Sequence, residues 1–156
     1  MNARRIIALS GSLRAASTNT ALLREIAAGA PDGVSVEIFS LGELPLFNPD
    51  HEQFPPELIN SFRASVGEAD AMIIASPEYA HGVSGVLKNA LDWLVGSHGF
   101  AGKPVLILNT APRASHAIAA LREILATMSA HIIDELPALG TATHLYNQGY
   151  SNAVHN

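Results

Sequence analysis

The pattern of hydrophobic and polar positions alternates between two kinds of segment along the chain. Five short apolar runs have the length and composition of buried strands, and they occupy residues 5–10, 34–40, 69–77, 103–110 and 130–139. Between them, apolar residues recur three and four positions apart, which predicts helices whose apolar faces lie within residues 21–27, 58–66, 83–94 and 118–128. Strands that alternate with helices predict an α/β fold with a mainly parallel sheet and right-handed crossovers.

Polar loops follow three of these strands, at residues 10–20, 76–85 and 109–116. Open parallel sheets bind ligands at the carboxyl ends of their strands, where the strand order reverses. We therefore expect the three loops to converge on one ligand site. After the fifth strand the sequence shows no convincing final helix.

Length and composition restrict the classes of protein to which this chain can belong. The 156 residues predict a single domain over 1–156, and 48% hydrophobic against 15% charged residues excludes a disordered chain. The net charge of −5 and the scattered basic residues predict no nucleic-acid partner. The absence of cysteine excludes disulfides, iron–sulfur clusters and thiolate catalysis. The first apolar run is too short for a secretory signal and no window has the length of a membrane span, so we expect a cytoplasmic protein.

The first loop has the composition of a phosphate-binding site. A helix that follows a strand offers free N–H groups and a positive dipole end to an anion. Arg14 adds a fork-shaped cation, and Gly11 lets the backbone turn and approach a ligand closely. Hydroxyl and amide side chains supply further donors, at Ser10, Ser12, Ser17, Thr18, Asn19 and Thr20.

Missing motifs restrict the kind of phosphate. The chain has neither GxxxxGK[ST] nor GxGxxG, which argues against a triphosphate cradle and against a tightly held dinucleotide. A single phosphate monoester fits what remains. The alternative is that these residues only cap the helix, although a cap needs one or two such side chains and not six with an arginine.

The second loop, SPEYAHGVSG, suits a flat heterocycle. Pro77 and Gly82 shape a tight path, and Glu78 to His81 present backbone amides and an aromatic ring. Each side chain also has a structural interpretation: Tyr79 as a packing residue, His81 as a surface turn residue and Glu78 as a solvated charge. In the helix that follows, we expect polar and aromatic residues to support this loop or contact another subunit, namely Lys88, Asn89, Asp92 and Trp93.

Two other site types are disfavoured, and one residue stays open. The GVSG segment lacks the last glycine of a GxSxG nucleophile elbow, because Val86 stands there. The histidines show no HxxxH spacing, so we predict no metal site. In the third loop, Arg113 is either a ligand for the phosphate of a dinucleotide substrate, such as the 2′-phosphate of NADPH, or an exposed charge.

The segments GSLRAASTN and PEYAHGVSGVLKNALDWL together resemble the phosphate loop and the flavin loop of the NADPH-dependent FMN reductase family, which includes flavodoxin-like quinone and chromate reductases. The likeness extends over about residues 5–138. It implies a flavodoxin-like three-layer sandwich with strand order 2-1-3-4-5, bound FMN, and NADPH or NADH as a transient co-substrate. It also implies a homodimer or homotetramer, and a hydride transfer through FMN to a small acceptor such as a quinone or free flavin.

The resemblance also implies the site residues. It assigns the FMN phosphate to Ser10, Ser12, Arg14, Ser17 and Asn19. It assigns the isoalloxazine ring, chiefly through backbone groups, to Pro77, Glu78, Tyr79, Ala80 and His81. The predicted cofactor-binding set is completed by Thr18, Gly82 and Thr110. No side chain is expected to act as a catalytic acid or base, since the flavin carries the chemistry.

This chain departs from the family pattern in two places. It has APRASH where many members have a glycine-rich loop after the fourth strand, and the final helix of the family is missing or short. The alternatives to an enzyme are an electron carrier of the flavodoxin type and an FMN-binding sensor. A carrier presents a strongly acidic docking face, which a charge of −5 spread along the chain does not suggest. The sequence does not choose between NADPH and NADH.

Overall fold

The computed structural model describes residues 3–111 and 113–137. Within these ranges the order of elements is β1 (Arg4–Ser10), α1 (Thr18–Ala28), β2 (Val34–Phe39), a 3₁₀ turn (Pro49–His51), α2 (Glu57–Glu68), β3 (Ala71–Ala75), β4 (Glu78–Tyr79), β5 (Gly82–Val83), α3 (Gly85–Val95), β6 (Pro104–Asn109), α4 (Ser115–Thr127) and β7 (His131–Pro137).

Five of the strands form one parallel sheet in the order β2-β1-β3-β6-β7. Counting only these five, the order is 2-1-3-4-5, so the predicted α/β architecture and strand order are confirmed. The reversal lies between β1 and β3, where the chain leaves one side of the sheet and continues on the other. The loops that follow β1, β3 and β6 therefore start at one edge, beside the reversal.

The sheet is buried on both faces, as its continuous apolar strands predict. Alternate residues of β1 enter different clusters because successive side chains of a strand point to opposite faces. Ile7 belongs to the cluster that contains Phe62 of α2 and Trp93 of α3. Ile6 belongs to the cluster that contains Leu23 of α1. The described helices thus form two layers, with α2, α3 and α4 on one face and α1 on the other.

The structure differs from the sequence-based expectation in the second loop. Residues 76–85 contain a short antiparallel hairpin, β4–β5, in which Glu78 pairs with Val83 and Tyr79 with Gly82. Strands of two residues are too short to show an alternating pattern, so no pattern in the sequence predicts them. The prediction that no final helix follows the fifth strand concerns residues outside the described part. None of the described helices combines the length and the apolar character needed to cross a bilayer.

Candidate functional site

The first loop leaves free backbone donors at the start of α1. Ser17 caps the helix, since its Oγ accepts the Thr20 N–H at 3.1 Å and its carbonyl accepts the Ala21 N–H at 3.0 Å. The N–H groups of Thr18 and Asn19 have no acceptor among the residues that the structure describes. These two donors and the positive end of the helix dipole are available to an anion.

Hydroxyl groups also hold the loop in shape. Ser10 Oγ lies 2.7 Å from Thr20 Oγ1 and accepts the Ser12 N–H at 3.3 Å. The Arg14 N–H is 3.4 Å from Ser12 Oγ. These bonds give the hydroxyl groups a structural role, and the Ser12 hydroxyl, which accepts one of them, keeps a proton to donate. Ser10 and Ser17 are buried, so only a ligand seated against the loop can reach them.

Gly11 is the point where the first two loops touch. Its N–H donates to the carbonyl of Ala75 at 2.8 Å. A Cβ at position 11 would lie 2.1 Å from Ser76 Oγ and 2.8 Å from Ser84 Oγ, well inside van der Waals contact. Glycine is thus required by the close approach of the Ser76 and Ser84 side chains to the Gly11 backbone, and this contact sets the distance between the phosphate loop and the loop after β3.

The second loop turns through two non-glycine residues in the left-handed region. Ala80 has φ 50° and His81 has φ 60° between the paired residues Tyr79 and Gly82. Positive φ at both central residues is the pattern of a type I′ turn, which favours Asn-Gly. The turn carries Tyr79 outward with 56% of its surface exposed. It needs support from neighbouring elements, because a hairpin of two pairs is only marginally stable by itself.

That support comes from the first turn of α4. The N-cap residue Ala114 offers no side-chain acceptor, and Glu78 Oε2 accepts the Ala117 N–H at 2.8 Å instead. The rings of His81 and His116 are stacked, with centroids 4.2 Å apart and planes 14° apart. The Glu78 side chain is therefore not the solvated loop charge that was one interpretation of the sequence. Alanine at an N-cap has no side-chain acceptor, so this residue is the feature of the sequence that indicates an acceptor from another element.

The third loop is joined to the first by a side-chain hydrogen bond. Thr110 Oγ1 donates to Asn19 Oδ1 at 2.5 Å, across the carboxyl edge of the sheet. Asn19 is buried. It is also one of the two residues at the start of α1 whose N–H groups have no acceptor among the described residues. The expected convergence of the three loops is thus found through Gly11, Asn19 and the hairpin.

Two cavities lie at this edge. One of about 360 Å³ is lined by residues from all three loops, Thr18, Asn19, Pro77, Glu78, Thr110, Ala111, Arg113 and Ala114. The second, of about 450 Å³, lies towards the end of β2, and its polar lining comprises Ser10, Ser12, Arg14, Thr20, Arg24 and Ser40. The predicted cofactor-binding residues are thus divided between two cavities on the phosphate loop. Five others line neither cavity, namely Ser17, Tyr79, Ala80, His81 and Gly82.

Polar residues of α3 support a different loop from the one expected. Asn89 accepts the Phe47 N–H at 2.8 Å and donates to the Pro45 carbonyl at 3.0 Å, and Trp93 Nε1 donates to the same carbonyl at 2.8 Å. They hold the loop between β2 and α2 and not the hairpin loop after β3. Lys88 and Asp92 form an ion pair along the helix surface at 2.6 Å.

Displaced pKa values occur at the opposite edge of the sheet. The backbone N–H of Arg5 donates to Asp70, and this bond holds the pKa of the carboxyl below its ordinary value despite partial desolvation. Burial lowers the pKa of Lys103, whose ammonium group donates to the Ala69 carbonyl. No group of three or more metal-ligating side chains occurs among the described residues.

Known proteins with similar sequences and structures indicate the family of this chain. Residues 4–144 match the family model described as "NADPH-dependent FMN reductase". An NAD(P)H-dependent FMN reductase of Pseudomonas aeruginosa is 41% identical over 108 residues, which are 67% of this chain and 58% of that protein. A 2-hydroxy-1,4-benzoquinone reductase of a Burkholderia species is 38% identical over 109 residues, 68% of this chain and 60% of that protein. The chain thus spans less than two thirds of the length of these curated relatives.

Solved structures match nearly the whole chain. The flavoenzyme NAD(P)H:(acceptor) oxidoreductase FerB of Paracoccus denitrificans superposes with a TM-score of 0.78 at 23% identity, over 97% of this chain and 94% of FerB. An archaeal flavodoxin superposes with a TM-score of 0.67 at 16% identity, over 96% of both chains. These likenesses establish a flavodoxin-like fold. With the family model over residues 4–144, they show that the chain belongs to the NADPH-dependent FMN reductase family.

Proposed function

We propose that this protein binds FMN at the carboxyl edge of its sheet and uses it to pass electrons from NADPH or NADH to a small acceptor of the quinone class. The observation that carries the proposal is the meeting of three loops around one cavity, where the Asn19–Thr110 hydrogen bond joins the first loop to the third. Relatives with 38–41% identity are named as an FMN reductase and a benzoquinone reductase, which supports the same activity here.

The donor set of the first loop fits a phosphate monoester. Two free N–H groups, of Thr18 and Asn19, face the approach to α1, and the Ser17 hydroxyl keeps a proton to donate. Arg14 lines the adjoining cavity, and its guanidinium has no ion-pair partner in the described part of the chain. A phosphate held here would gain charge-assisted hydrogen bonds and the favourable end of a helix dipole.

The second and third loops fit a flat ring system. Pro77 and Thr110 line the cavity next to the phosphate loop, and the hairpin that follows Pro77 presents backbone groups at its rim. The start of α3 at Gly85 directs further N–H groups towards the same edge. We propose that Pro77, Thr110 and the backbone of residues 78–82 hold the ring, as the resemblance implies for these residues.

FMN bound in this place would supply the redox chemistry between the nicotinamide and the acceptor. The residues of this chain would bind, orient and polarise the cofactor. The helix N-termini of α1 and α3 favour negative charge on a phosphate and on a reduced ring. No side chain of this chain is assigned a proton-transfer role.

The relatives support the acceptor class. Quinone reductases of Pseudomonas putida and of Escherichia coli also match this chain, at 38% and 36% identity, which favours a quinone-type acceptor over a protein partner. The homodimer or homotetramer that the resemblance implies stays a prediction. Arg113 lines the cavity beside Glu78, where a phosphate of the dinucleotide is one candidate contact.

Titration of the FMN-free protein with FMN, followed by quenching of flavin fluorescence, tests the phosphate assignment. Arg14→Ala removes a charge-assisted bond worth about 1.5–3 kcal/mol, so the FMN dissociation constant should rise by roughly 10- to 150-fold. Lys88→Ala is the matched control, because it removes one surface cation from an exposed ion pair on α3. Equal FMN affinity in Arg14→Ala and Lys88→Ala would remove the arginine from the phosphate site.

A further inference from the structure

The hairpin of the second loop is held in a backbone conformation that its own residues disfavour. Ala80 and His81 both have positive φ, at 50° and 60°, and neither is glycine or asparagine. Left-handed backbone at non-glycine residues persists only where surrounding contacts impose it. Two strand pairs supply little of that restraint. The contacts that hold the turn must therefore lie outside the hairpin.

Those contacts are made by consecutive residues of α4. The Ala117 N–H donates to Glu78 at 2.8 Å, and the His116 ring stacks on the His81 ring at 4.2 Å between centroids. The first bond fixes the start of the hairpin, and the stack fixes its left-handed corner. The His116 ring is therefore the contact from outside the hairpin that is made to a residue of the left-handed turn, His81.

We propose that His116 is a positioning residue, which acts through His81 to hold the turn of residues 79–82 in the shape that receives the flavin. This role rests on the proposed function, since it concerns the same cofactor site. Nothing in the resemblance assigns a role to His116. The His116 ring would act on cofactor affinity without touching the cofactor.

The test compares the FMN affinity of the FMN-free protein in three variants. His116→Ala removes the ring and should weaken FMN binding about two- to twelvefold, the range that aromatic stacking provides. His116→Phe keeps a stacking ring, so it should retain most of the wild-type affinity. His98→Ala, an exposed histidine after α3, is the matched control and should behave as the wild type.

A second background separates positioning from general damage. Ala80→Asn with His81→Gly installs the residues that a type I′ turn favours and removes the stacking partner. In that background His116→Ala should change FMN affinity by less than twofold, because no stack remains to be lost. A similar loss with and without His81 would overturn the role, as would an unchanged affinity of His116→Ala in the wild-type background.

The phenylalanine variant and the wild-type control complete the decision. A loss of affinity in His116→Phe equal to that in His116→Ala would overturn the stacking role. Failure of the wild-type protein to bind FMN would overturn both the proposed function and this role. Intact wild-type binding with unaffected His116 variants would overturn the role alone.

Discussion

The contact at Gly11 gives a prediction whose size follows from the structure. Gly11→Ala places a Cβ 2.1 Å from Ser76 Oγ, 2.7 Å from Ser76 Cβ and 2.8 Å from Ser84 Oγ, whereas ordinary contacts begin at 3.4 Å. Rotation of the Ser76 hydroxyl relieves the first overlap but not the second, because a Cβ moves only with its backbone. The phosphate loop and the loop after β3 must therefore separate.

The separation has two measurable consequences. Overpacking of this kind costs about 1–3 kcal/mol of the free energy of unfolding, which urea denaturation measures. Displacement of the phosphate loop should also lose at least one charge-assisted hydrogen bond, so FMN affinity should fall about tenfold or more. The two effects have the same origin and should appear together in Gly11→Ala.

Gly85→Ala is the matched control. Gly85 is the first residue of α3, one position after Ser84, and a Cβ there would have no atom within 4 Å. It should leave FMN affinity unchanged and stability unchanged or slightly raised. Adding Ser76→Gly to Gly11→Ala removes the two closest overlaps and should restore most of the lost affinity. If Gly11→Ala behaves as Gly85→Ala does, the contact does not set the loop spacing.

Two further predictions concern the frame around the site. The pKa of Asp70 is lowered chiefly by the hydrogen bond from Arg5 N–H, so its carboxylate stabilises the fold above the unfolded value near 3.9 and this contribution is lost as the pH falls. Urea midpoints should fall less steeply from pH 5 to pH 3 in Asp70→Asn than in the wild type, and equal slopes would contradict this. Asn89→Ala leaves the Phe47 N–H without its acceptor and should cost about 1–3 kcal/mol. Asn89→Asp keeps that acceptor, and an unchanged midpoint in Asn89→Ala would refute the loop contact.

The sheet and the place of the site were predictable because they depend on short-range patterns. Apolar runs such as Ile6 to Leu9 are buried on both faces of the sheet, and helical spacing located the four described helices. Loops after parallel strands share an edge, so convergence followed from the fold class alone. The strand order came from the resemblance, because periodicity does not say which strand lies beside which.

The remaining features depend on contacts between distant residues. His81 and His116 stack across 35 positions, and no local pattern links them. The hairpin was hidden because its strands have two residues each, and its turn uses Ala80 where asparagine or glycine would have given a signal. The orientation of Asn89 towards the Pro45 loop depends on how α3 packs, which propensities do not specify.

Anaerobic absorbance spectroscopy tests the central claim most directly. The protein is loaded with FMN, freed of unbound cofactor, and its visible flavin band is recorded before and after addition of NADPH or NADH, without any other protein. The account predicts that one or both dinucleotides bleach the oxidised band rapidly, and that a benzoquinone then restores it. Retained FMN whose band resists both dinucleotides would contradict the reductase function and point to an electron carrier or a sensor.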